Sequence, residues 1–341
     1  IIDAYGDDAN TEEIDGFIDG DYIRIRAWDF ETGREYSARP TITDGGLFWN
    51  QDGETTLSLD VADDLFGFFI HEDWNLMSIN IYPDERYYRE NEDRGGPDVE
   101  IMMHAAMPDL DEHPILMKDE DGRFWASAWA MCLLPFWDLN EGYMMKFGRD
   151  VELFWHGELI PPDTEIPIEE GWNYLTYLPT YQLPCTAPDF YAFDSIIEEL
   201  EIVKDPNGYF YVPQFEFSNM LPLQAGNAYQ IKMSEEVAFT YPPEPEDEVL
   251  AFHGHAQQGP IHYDRVEGTS ANMSLLVQGE ILQPGSEIGV YSNSGILVGS
   301  STITTNGVCG LAVWGDDPTT EELEGSSDNE SLEVKMWNSV D

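Results

Sequence analysis

Histidines and acidic residues are the side chains of this sequence whose types could support chemistry. His253 and His255, followed by His262, could gather a zinc, copper or nickel ion, because imidazole is a common ligand of these metals. None of the seven histidines shows metalloprotease spacing, and no Gly-x-Ser-x-Gly motif marks a nucleophilic serine. We interpret the histidines as ordinary strand and loop residues and assign no catalytic or metal-binding residue.

Acidic clusters offer the oxygen ligands that calcium prefers. One cluster is Asp119-Glu120-Asp121-Gly122, and another combines Asp7 and Asp8 with Glu12 and Glu13. The first lacks the distal glutamate of an EF-hand, so a hairpin turn is the preferred interpretation. With 67 acidic residues, carboxylate pairs at any spacing arise by chance and cannot indicate a glycosidase. We therefore predict no enzymatic activity and no cofactor, with calcium as the alternative.

Aromatic residues and two sequons are the remaining candidates for recognition. Exposed rings could stack on sugar faces, but rings in β-modules more often fill a core or a subunit contact. Asn272-Met273-Ser274 and Asn329-Glu330-Ser331 are sequons, so Asn272 and Asn329 are candidate glycosylation sites. The aromatic residues crowded into one stretch are Trp125, Trp129, Phe136, Trp137, Phe154 and Trp155.

The charge of the chain excludes several classes of partner. Asp and Glu number 67 against 15 Lys and Arg, which leaves a formal net charge of −52. Nucleic acid and anionic membrane surfaces are therefore not expected as partners, because both would be repelled. We interpret the excess as a solvated acidic surface suited to saline or cation-rich surroundings, with dedicated metal sites as the alternative.

Cysteine use and hydropathy restrict the class further. Cys132, Cys185 and Cys309 lie far apart without metal-ligand spacing, so one disulfide at most can form, and three buried apolar side chains are the preferred interpretation. No apolar stretch approaches the ~18 residues that span a bilayer, so we expect no membrane insertion. The chain opens at Ile1 without a basic or apolar leader, and we expect its true start to lie upstream.

The most informative feature is a repeat that links the two ends of the chain. Residues 5–29 align without a gap with residues 314–338, at an offset of 309. The alternation of apolar and polar residues over Tyr22–Trp28 matches that over Ser331–Trp337, which predicts the same half-buried strand in both copies. Gly6, Asp7, Asp8, Thr11, Glu12, Glu13, Gly16, Asp19 and Trp28 recur as Gly315, Asp316, Asp317, Thr320, Glu321, Glu322, Gly325, Asp328 and Trp337.

The repeat makes the two ends complementary. Strand-like runs over Glu35–Thr43 and Thr55–Val61 follow only the first copy, and a longer stretch of strand and turn sequence precedes only the second. An unpaired sheet edge is an aggregation template, so we expect a partner to pair with it. A tandem array with a period of 309 residues, strand addition between subunits, and closure within one chain all satisfy this. The predicted interface comprises Ile23, Ile25, Trp28, Tyr36, Leu332, Val334 and Trp337.

A second repeat lies between these ends and predicts two sibling modules. Residues 73–78 match residues 171–176 at an offset of 98, and residues 118–125 match residues 204–211 at an offset of 86. The difference corresponds to a longer linker in the first copy, where the polar run Arg89–Pro97 lies. Tyr143 and Lys146 match Tyr229 and Lys232 at the offset of 86.

Each sibling module is predicted to contain a Trp-Asn strand, a short helix and a hairpin. The helices are expected over Pro97–Met107 and over Phe190–Leu200, the latter with Thr186 as its N-cap. Turns at Asp119–Gly122 and Asp205–Gly208 should join the two strands of each hairpin.

These motifs resemble a repeat module found in large secreted and surface proteins of environmental bacteria. Its marks are a Gly-Trp-Asn-Leu-Ile-Ser strand, a Lys-Asp-x-x-Gly-x-x-Tyr hairpin and a Gly-Tyr ending, and a neighbouring module carries Gly-Asp-Glu-Ile-Gly-Val and Trp-Gly-Asp-Asp-Pro-Thr-Thr. The resemblance implies surface display or adhesion and assigns no catalytic residue. Departures are Asp73 in place of Gly and Ser326-Ser327 in place of Phe17-Ile18. The matching residues are 172–176, 204–211, 228–229, 286–290, 314–320 and 28–29.

We predict a mainly β fold, with β-sandwich (Ig-like) end modules and two sibling β-rich modules that each carry a short helix. The predicted domains are residues 1–65, 66–150, 151–247 and 248–341. The expected function is a structural subunit or repeat of an extracellular filament or surface layer, assembled end to end by strand complementation with other copies of itself. An adhesin or carbohydrate-binding surface module, with glycans as partner, is the alternative.

The acidic surface generates a first testable prediction. Like charges repel one another across a folded surface, and this repulsion weakens as the Debye length falls from about 10 Å at 0.1 M salt to about 3 Å at 1 M. We expect the melting temperature to rise as NaCl or a divalent cation is added, which calorimetry can measure. A melting temperature that does not respond to either salt would contradict this view of the charge.

Overall fold

Antiparallel β-sheets make up most of the computed structural model of the chain. The structure describes residues 2–8, 11, 14–89, 95–107, 110, 115–129, 131–134, 136–185, 191–245, 259–304 and 307–338. Within these residues it contains 23 strands, one α-helix and four short 3-10 helices. The fold is therefore mainly β, as the alternation of apolar and polar residues predicts.

The amino-terminal residues form a three-stranded antiparallel sheet in the order β1-β2-β3. Its strands are β1 (Arg26–Asp29), β2 (Arg34–Asp44) and β3 (Thr56–Val61). The predicted strands over Glu35–Thr43 and Thr55–Val61 are confirmed within a residue. The strand predicted over Tyr22–Trp28 is regular only from Arg26, although Tyr22 forms an isolated bridge with Phe48.

The first sibling module contains eight strands and the α-helix. Five of its strands form a sheet in the order β5-β10-β7-β8-β9, and the others form a sheet in the order β4-β11-β6. The elements are β4 (Leu65–Ile70), β5 (Asp73–Met77), β6 (Ile81–Pro83), a 3-10 helix (Glu85–Tyr87), α1 (Val99–Ala106), β7 (Leu116–Lys118), β8 (Phe124–Ala126), a 3-10 helix (Ser127–Trp129), β9 (Met131–Cys132), β10 (Tyr143–Phe147) and β11 (Val151–Leu159).

The second sibling module repeats this arrangement. Its five-stranded sheet has the order β13-β17-β14-β15-β16, which matches the order β5-β10-β7-β8-β9 strand for strand. β12 pairs with β18 as β4 pairs with β11. The elements are β12 (Ile166–Ile168), β13 (Gly171–Thr176), a 3-10 helix (Tyr191–Ile196), β14 (Leu200–Lys204), β15 (Phe210–Val212), a 3-10 helix (Pro213–Phe215), β16 (Phe217–Ser218), β17 (Ala228–Met233) and β18 (Val237–Phe239).

The strand β11 lies differently from the division drawn from the sequence. It begins at Val151, the first residue of the predicted second sibling, but it pairs with β4 and β6 of the first. The second copy of the internal repeat starts only at residue 171. The repeat therefore does not indicate to which module β11, which precedes that residue, belongs.

The carboxyl-terminal module consists of two small sheets around one core. The strands are β19 (Asn272–Gln278), β20 (Glu287–Tyr291), β21 (Leu297–Thr302), β22 (Val308–Trp314) and β23 (Glu333–Trp337). β19 pairs with β22, and the other sheet has the order β21-β20-β23. β21 also lies against β22, so the strands follow one another around the core in the order β23-β20-β21-β22-β19.

The α-helix of the first module forms where the sequence predicts it. Asp98 is its N-cap, and its carboxylate accepts a hydrogen bond from the backbone N–H of Ile101. Val99, Met102 and Met103 are buried at helical spacing against the core. The buried Trp155 indole also donates to the Met102 carbonyl at 2.8 Å, which connects the helix to β11.

The second predicted helix is shorter than expected. A 3-10 helix covers Tyr191–Ile196, whereas Leu200 already begins β14, so the expected extension to residue 200 is wrong. Pairing of Leu200 with Met233 of β17 outweighs the helical pattern at this end. The proposed N-cap at Thr186 lies outside the described residues.

The two hairpin turns form as predicted because a buried aspartate closes each of them. The Asp119 carboxylate accepts the backbone N–H of Arg123 and pairs with its guanidinium at 2.6 Å. The Asp205 carboxylate accepts the backbone N–H groups of Asn207 and Tyr209. Asp119 of the calcium candidate therefore closes a hairpin turn.

Aromatic and aliphatic side chains fill a separate core in each sibling and in the carboxyl-terminal module. Of the crowded rings, Trp125, Trp137, Phe154 and Trp155 are buried, as the core interpretation predicts, whereas Trp129 is exposed. Cys185 and Cys309 are buried as predicted, but the prediction is wrong for Cys132, which is exposed on the short β9 strand at the edge of its sheet. Burial raises the pKa of the Cys309 thiol to about 11.

The sibling modules pack against each other with pseudo-two-fold symmetry. Met77 forms a bridge with Asn227, and the equivalent of Met77 in the second module, Leu175, forms a bridge with Glu141, the equivalent of Asn227. The same patch on each module therefore contacts the other module. Leu76, Met144 and Ala228 pack between the sheets, and the buried Ser78 hydroxyl donates to the Asn227 carbonyl at 2.7 Å.

Glu141 lies in this sibling contact in an unfavourable environment for a charge. Burial raises its pKa to about 7, and the carboxylates of Asp138, Glu120 and Asp119 add to the rise, while Arg123 opposes it. Glu120 is itself half-buried and accepts the backbone N–H of Tyr174 across the contact.

Substitution of Glu141 by glutamine should reduce the loss of stability that occurs as pH rises. Because the folded state raises this pKa, the protonated Glu141 carboxyl stabilises the fold fully below the ordinary value of 4.5. This stabilisation is lost as pH rises through about 7. We expect Glu141→Gln and the native chain to melt alike near pH 4, and the variant to melt higher above about pH 7. Calorimetry across this range tests it, with the exposed Glu235→Gln as control. Equal pH slopes for the native chain and Glu141→Gln would contradict the assignment.

Candidate assembly interface

The two copies of the terminal repeat adopt the same loop. Gly6 forms a parallel bridge with Phe17, and Gly315 forms the same bridge with Ser326, 309 residues later in both cases. The Asp7 carboxylate accepts the backbone N–H of Asp15, and the Asp316 carboxylate accepts the backbone N–H of Glu324. The correspondence extends to individual hydrogen bonds, so the sequence repeat is also a structural repeat.

The recurring Thr and Gly residues have structural roles in this loop. The hydroxyl groups of Thr11 and Thr320 donate to the carbonyls of Asp8 and Asp317. A Cβ at Gly16 or Gly325 would overlap the backbone of Gly6 or Gly315, so only glycine fits there. Gly20 and its equivalent Asn329 both adopt positive φ, at 97° and 63°.

A buried carboxylate holds the carboxyl-terminal copy against the first sibling module. The Asp317 carboxylate accepts the Trp74 indole N–H at 2.7 Å and the Lys146 ammonium at 2.8 Å. Burial alone would raise the pKa of Asp317, but hydrogen bonds from Lys146, Thr319 and Trp74 outweigh it and lower the pKa to about 2. We call Trp74 and Lys146 the receiving pair.

Residues that precede the carboxyl-terminal copy form the rest of its binding site. We call this site, together with the receiving pair, the slot. The Gly315 N–H donates to the Ala271 carbonyl, and the Gly315 carbonyl accepts the Thr269 hydroxyl. β23 pairs with β20 in the register Val290↔Val334 and Ile288↔Met336. Trp337 stacks on His262 at 4.9 Å, and Lys335 lies over the Tyr291 ring at 4.3 Å.

The amino-terminal copy is held by residues that follow it. Phe17 stacks on Trp49, and the Trp49 carbonyl accepts the N–H of Gly20. The Ile23 N–H donates to the Leu47 carbonyl. Each copy therefore makes only one of two sets of contacts, the carboxyl-terminal copy with upstream residues and the amino-terminal copy with downstream residues.

The two sheets that contain the repeated strand end at that strand. Among the described residues, β1 pairs with β2 alone and β23 pairs with β20 alone. Because β1 and β23 are copies of one strand, superposition of the two copies would combine the two sheets into one five-stranded sheet, β21-β20-β23/β1-β2-β3. The two end sheets are separate, so the described residues do not pair the ends within one chain.

The carboxyl-terminal module leaves inward-facing apolar side chains uncovered. Val334 and Met336 lie opposite the buried Val290 and Ile288, so they face the core, and Met273 lies opposite the buried Val313 on the other sheet. The exposed fractions of Met273, Val334 and Met336 are nevertheless between 37% and 49%. These residues lie on β19 and β23, the two end strands of the order around the core, so the module is open between them.

The β2–β3 hairpin presents a matching apolar face. Its register places Ala38, Pro40 and Ile42 of β2 on the same face as Val61, Leu59 and Leu57 of β3. Ala38 is buried, but the exposed fractions of Ile42, Leu59 and Val61 are 42% to 43%. Grouped apolar side chains at this exposure indicate a contact surface.

Of the predicted interface residues, Trp28, Tyr36, Val334 and Trp337 lie on strands of these sheets, whereas Ile23, Ile25 and Leu332 lie just before such strands. Ile23, Ile25, Tyr36, Leu332 and Trp337 are half-buried, while Trp28 and Val334 are exposed. Sequence reasoning missed Asp317 with its receiving pair, as well as Ile42, Leu59, Val61, Met273 and Met336. The recurrence of Asp8 as Asp317 was the available signal for the first group, and the alternation in β2 and β3 was the signal for the second.

The other candidate sites remain dispersed. Asn329 is exposed on a turn, whereas Asn272 is half-buried in β19, where its side-chain oxygen accepts the Lys204 ammonium at 3.1 Å. His262 stacks on Trp337, and His253 and His255 lie outside the described residues, as do Glu12 and Glu13. In the described part of the chain, no group of three or more His, Cys, Asp or Glu side chains could hold a metal ion.

A polar cavity of about 690 Å³ lies where the two sibling modules meet the carboxyl-terminal module. Trp74, Tyr209 and Trp314 contribute rings to its lining, and Asn207 and Gln224 contribute amides. Rings beside amide groups can bind a polar organic molecule by stacking and hydrogen bonding.

Comparison with protein-family models, with curated proteins and with solved structures finds no match to this chain. None of the helices described here combines the length and the apolar character needed to cross a bilayer.

Removal of the Asp317 charge should loosen the carboxyl-terminal module. Hydrogen bonds to a charged group contribute about 1.5–3 kcal/mol, so Asp317→Asn should lower the free energy of unfolding of this module by about that amount above pH ~4. A lowered pKa stabilises the fold above the unfolded value and loses this effect as pH falls through about 2. The difference between variant and native chain should therefore vanish at the acid end.

Calorimetry between about pH 2 and 7 measures this difference. Asp328→Asn, which makes the same charge change at an exposed position of the same loop, serves as the control. An equal effect of both substitutions would show that net charge, not the contact with Trp74 and Lys146, is responsible.

Proposed function

We propose that the chain is a structural subunit, or one repeat, of an extracellular filament or surface layer whose copies join end to end through a shared β-sheet. The observation that carries the proposal is the overlap of the sheets β1-β2-β3 and β21-β20-β23 at two copies of one strand. A junction that uses this strand once would combine β20 and β21 from one copy with β2 and β3 from the next.

The exposed apolar side chains support such a junction. The hairpin β2–β3 would extend the open sheet beyond the repeated strand, toward the gap between β23 and β19. Its face with Ile42, Leu59 and Val61 would then cover the core that Met273, Val334 and Met336 leave exposed. The completed module would have seven strands, the number in a constant-type immunoglobulin sandwich.

The junction has the same design whether the second copy is the continuation of the same polypeptide or a separate molecule. In both cases the partner of this chain is another copy of its own sequence. The acidic surface and the resemblance to secreted bacterial surface modules support an extracellular or cell-surface location. Direct contact with anionic lipid or nucleic acid is disfavoured by the net charge of −52.

Carbohydrate binding is a second candidate function, favoured by the polar cavity of about 690 Å³. Sugars are recognised by aromatic faces together with amide and hydroxyl groups, and this cavity offers both. A glycan there would contact three modules at once, which would suit adhesion.

The oligomeric state at high salt tests the structural proposal. We expect purified chains to associate in about 1 M NaCl, where the Debye length is about 3 Å and repulsion is screened, and to sediment with a mass that grows with concentration. Leu59→Lys, which places a charge on the apolar face of the hairpin, should keep the chain monomeric. Sedimentation velocity and electron microscopy provide the measurements.

Ser58→Lys is the matched control for this test. It adds the same side chain to the opposite, exposed face of β3, one residue away, and should leave association unchanged. A native chain that stays monomeric at high salt would refute the proposal for separate molecules, and equal loss of association in both variants would remove the hairpin face from it.

A further inference from the structure

We propose that the segment which crosses between two molecules is the amino-terminal copy of the repeat, and that residues 5–29 of one molecule replace residues 314–338 of another. This inference rests on the proposed function and adds the identity of the crossing segment and of its receiving residues. The partner is a second copy of this chain.

The first argument is that the amino-terminal copy carries the residues for both sets of contacts. It retains Asp8, the equivalent of Asp317, and also has Phe17, whose ring stacks on Trp49 at 6.5 Å. The carboxyl-terminal copy has Ser326 at the position of Phe17 and cannot make that stack. A single copy that serves both neighbours must therefore be the amino-terminal one.

The second argument is that the slot accepts the amino-terminal sequence. Asp8 can place its carboxylate on the receiving pair, Trp74 and Lys146, as Asp317 does at 2.7 Å and 2.8 Å. The Gly6 N–H could donate to the Ala271 carbonyl, as the Gly315 N–H does. Asp8 is exposed in its own molecule, so the loop that presents it is accessible to a second one.

The third argument is that the strands match in register. The observed pairing of β23 with β20 places Ala27 opposite Ile288, Ile25 opposite Val290 and Arg24 opposite Tyr291 after an offset of 309. Ile25 and Ala27 then face the core in place of Val334 and Met336. Trp28 takes the position of Trp337, whose ring stacks on His262.

Exchange in this direction would place Asp8, Ile25 and Trp28 where Asp317, Val334 and Trp337 make their contacts. It also brings β2 and β3 into the open side of the carboxyl-terminal module, because β1 stays paired with β2. The opposite exchange, in which β23 displaces β1 from β2, would lose the contact between Phe17 and Trp49. The preferred exchange is a strand displacement between two similar segments, and it differs from domain swapping because the two segments are not the same element of the chain.

Cysteine cross-linking between two differently substituted full-length chains tests the inference. One chain carries Arg24→Cys, the other carries Tyr291→Cys, and both carry Cys132→Ser to remove the exposed native thiol. We expect a covalent heterodimer after mixing at high salt and oxidation, because positions 24 and 291 would be directly opposed. Ile25→Cys replaces Arg24→Cys in the control, since its side chain would point to the other face of the sheet.

Two further substitutions identify the receiving pair. Asp8→Ala in the first chain should lower the yield of cross-link about tenfold, because it removes the charged hydrogen bonds to Trp74 and Lys146. Asp19→Ala is its control, since the Asp19 carboxylate accepts the Gln51 N–H within its own chain. Asp317→Ala in the second chain should raise the yield, because it weakens the resident segment.

A second cysteine pair separates failure of this inference from failure of the proposed function. Met336→Cys in one chain and Tyr36→Cys in the other report the opposite exchange, since the equivalent of Met336, Ala27, pairs with Tyr36. A cross-link between positions 336 and 36 without one between 24 and 291 would overturn the inference and leave the shared sheet intact. The absence of both cross-links would overturn both proposals for separate molecules.

Discussion

A β-strand has two edges of peptide groups, and each edge must find a partner or protection. Each copy of the repeated strand in this chain has a partner on only one edge among the described residues. β1 is paired on one edge by β2, and β23 is paired on the other edge by β20. The side chains follow the same division, since the residues that remain exposed, such as Val334 and Leu59, lie on the faces that a completed sandwich would cover. One contact with a second copy could therefore pair the free strand edges and cover the exposed apolar side chains.

The chain has only 15 Lys and Arg residues, and several of them pair with buried carboxylates. The side chains of Asp98, Asp119, Glu152 and Asp317 are almost inaccessible, and they pair with Arg89, Arg123, Arg26 and Lys146 respectively. Salt screens exposed pairs strongly but buried pairs much less. In a medium salty enough to suppress repulsion among the surface acids, the pair of Asp317 and Lys146, whose side chains are 3% and 22% exposed, should be weakened less than exposed pairs. The contact at Asp317 is therefore suited to fix the position of a module under such conditions.

Much of the fold follows from repeats and alternation in the sequence. The strands β2 and β3, the helix α1 and both hairpin turns lie where the pattern places them, because each is encoded by residues within a short stretch. The contact of Asp317 with Trp74 joins residues 243 positions apart, and no local pattern reports such a pairing. Local propensity also fails at Leu200, where pairing with Met233 ends a helical pattern, and at Cys132, whose exposure depends on its place at a sheet edge.

The contact between the sibling modules is complete within one molecule, whereas the proposed junction between copies could repeat from one copy to the next. The sibling modules meet through the same patch on both partners, as the bridges Met77↔Asn227 and Leu175↔Glu141 show, and such an isologous contact is complete once formed. The proposed junction between β20 of one copy and the β1–β2–β3 sheet of another would use two different surfaces, so each added copy would present a new acceptor surface. Heterologous contacts of this kind extend into rings or filaments according to the rotation between copies. The same sheet edges that would be a liability in a monomer thus define the direction in which copies would add.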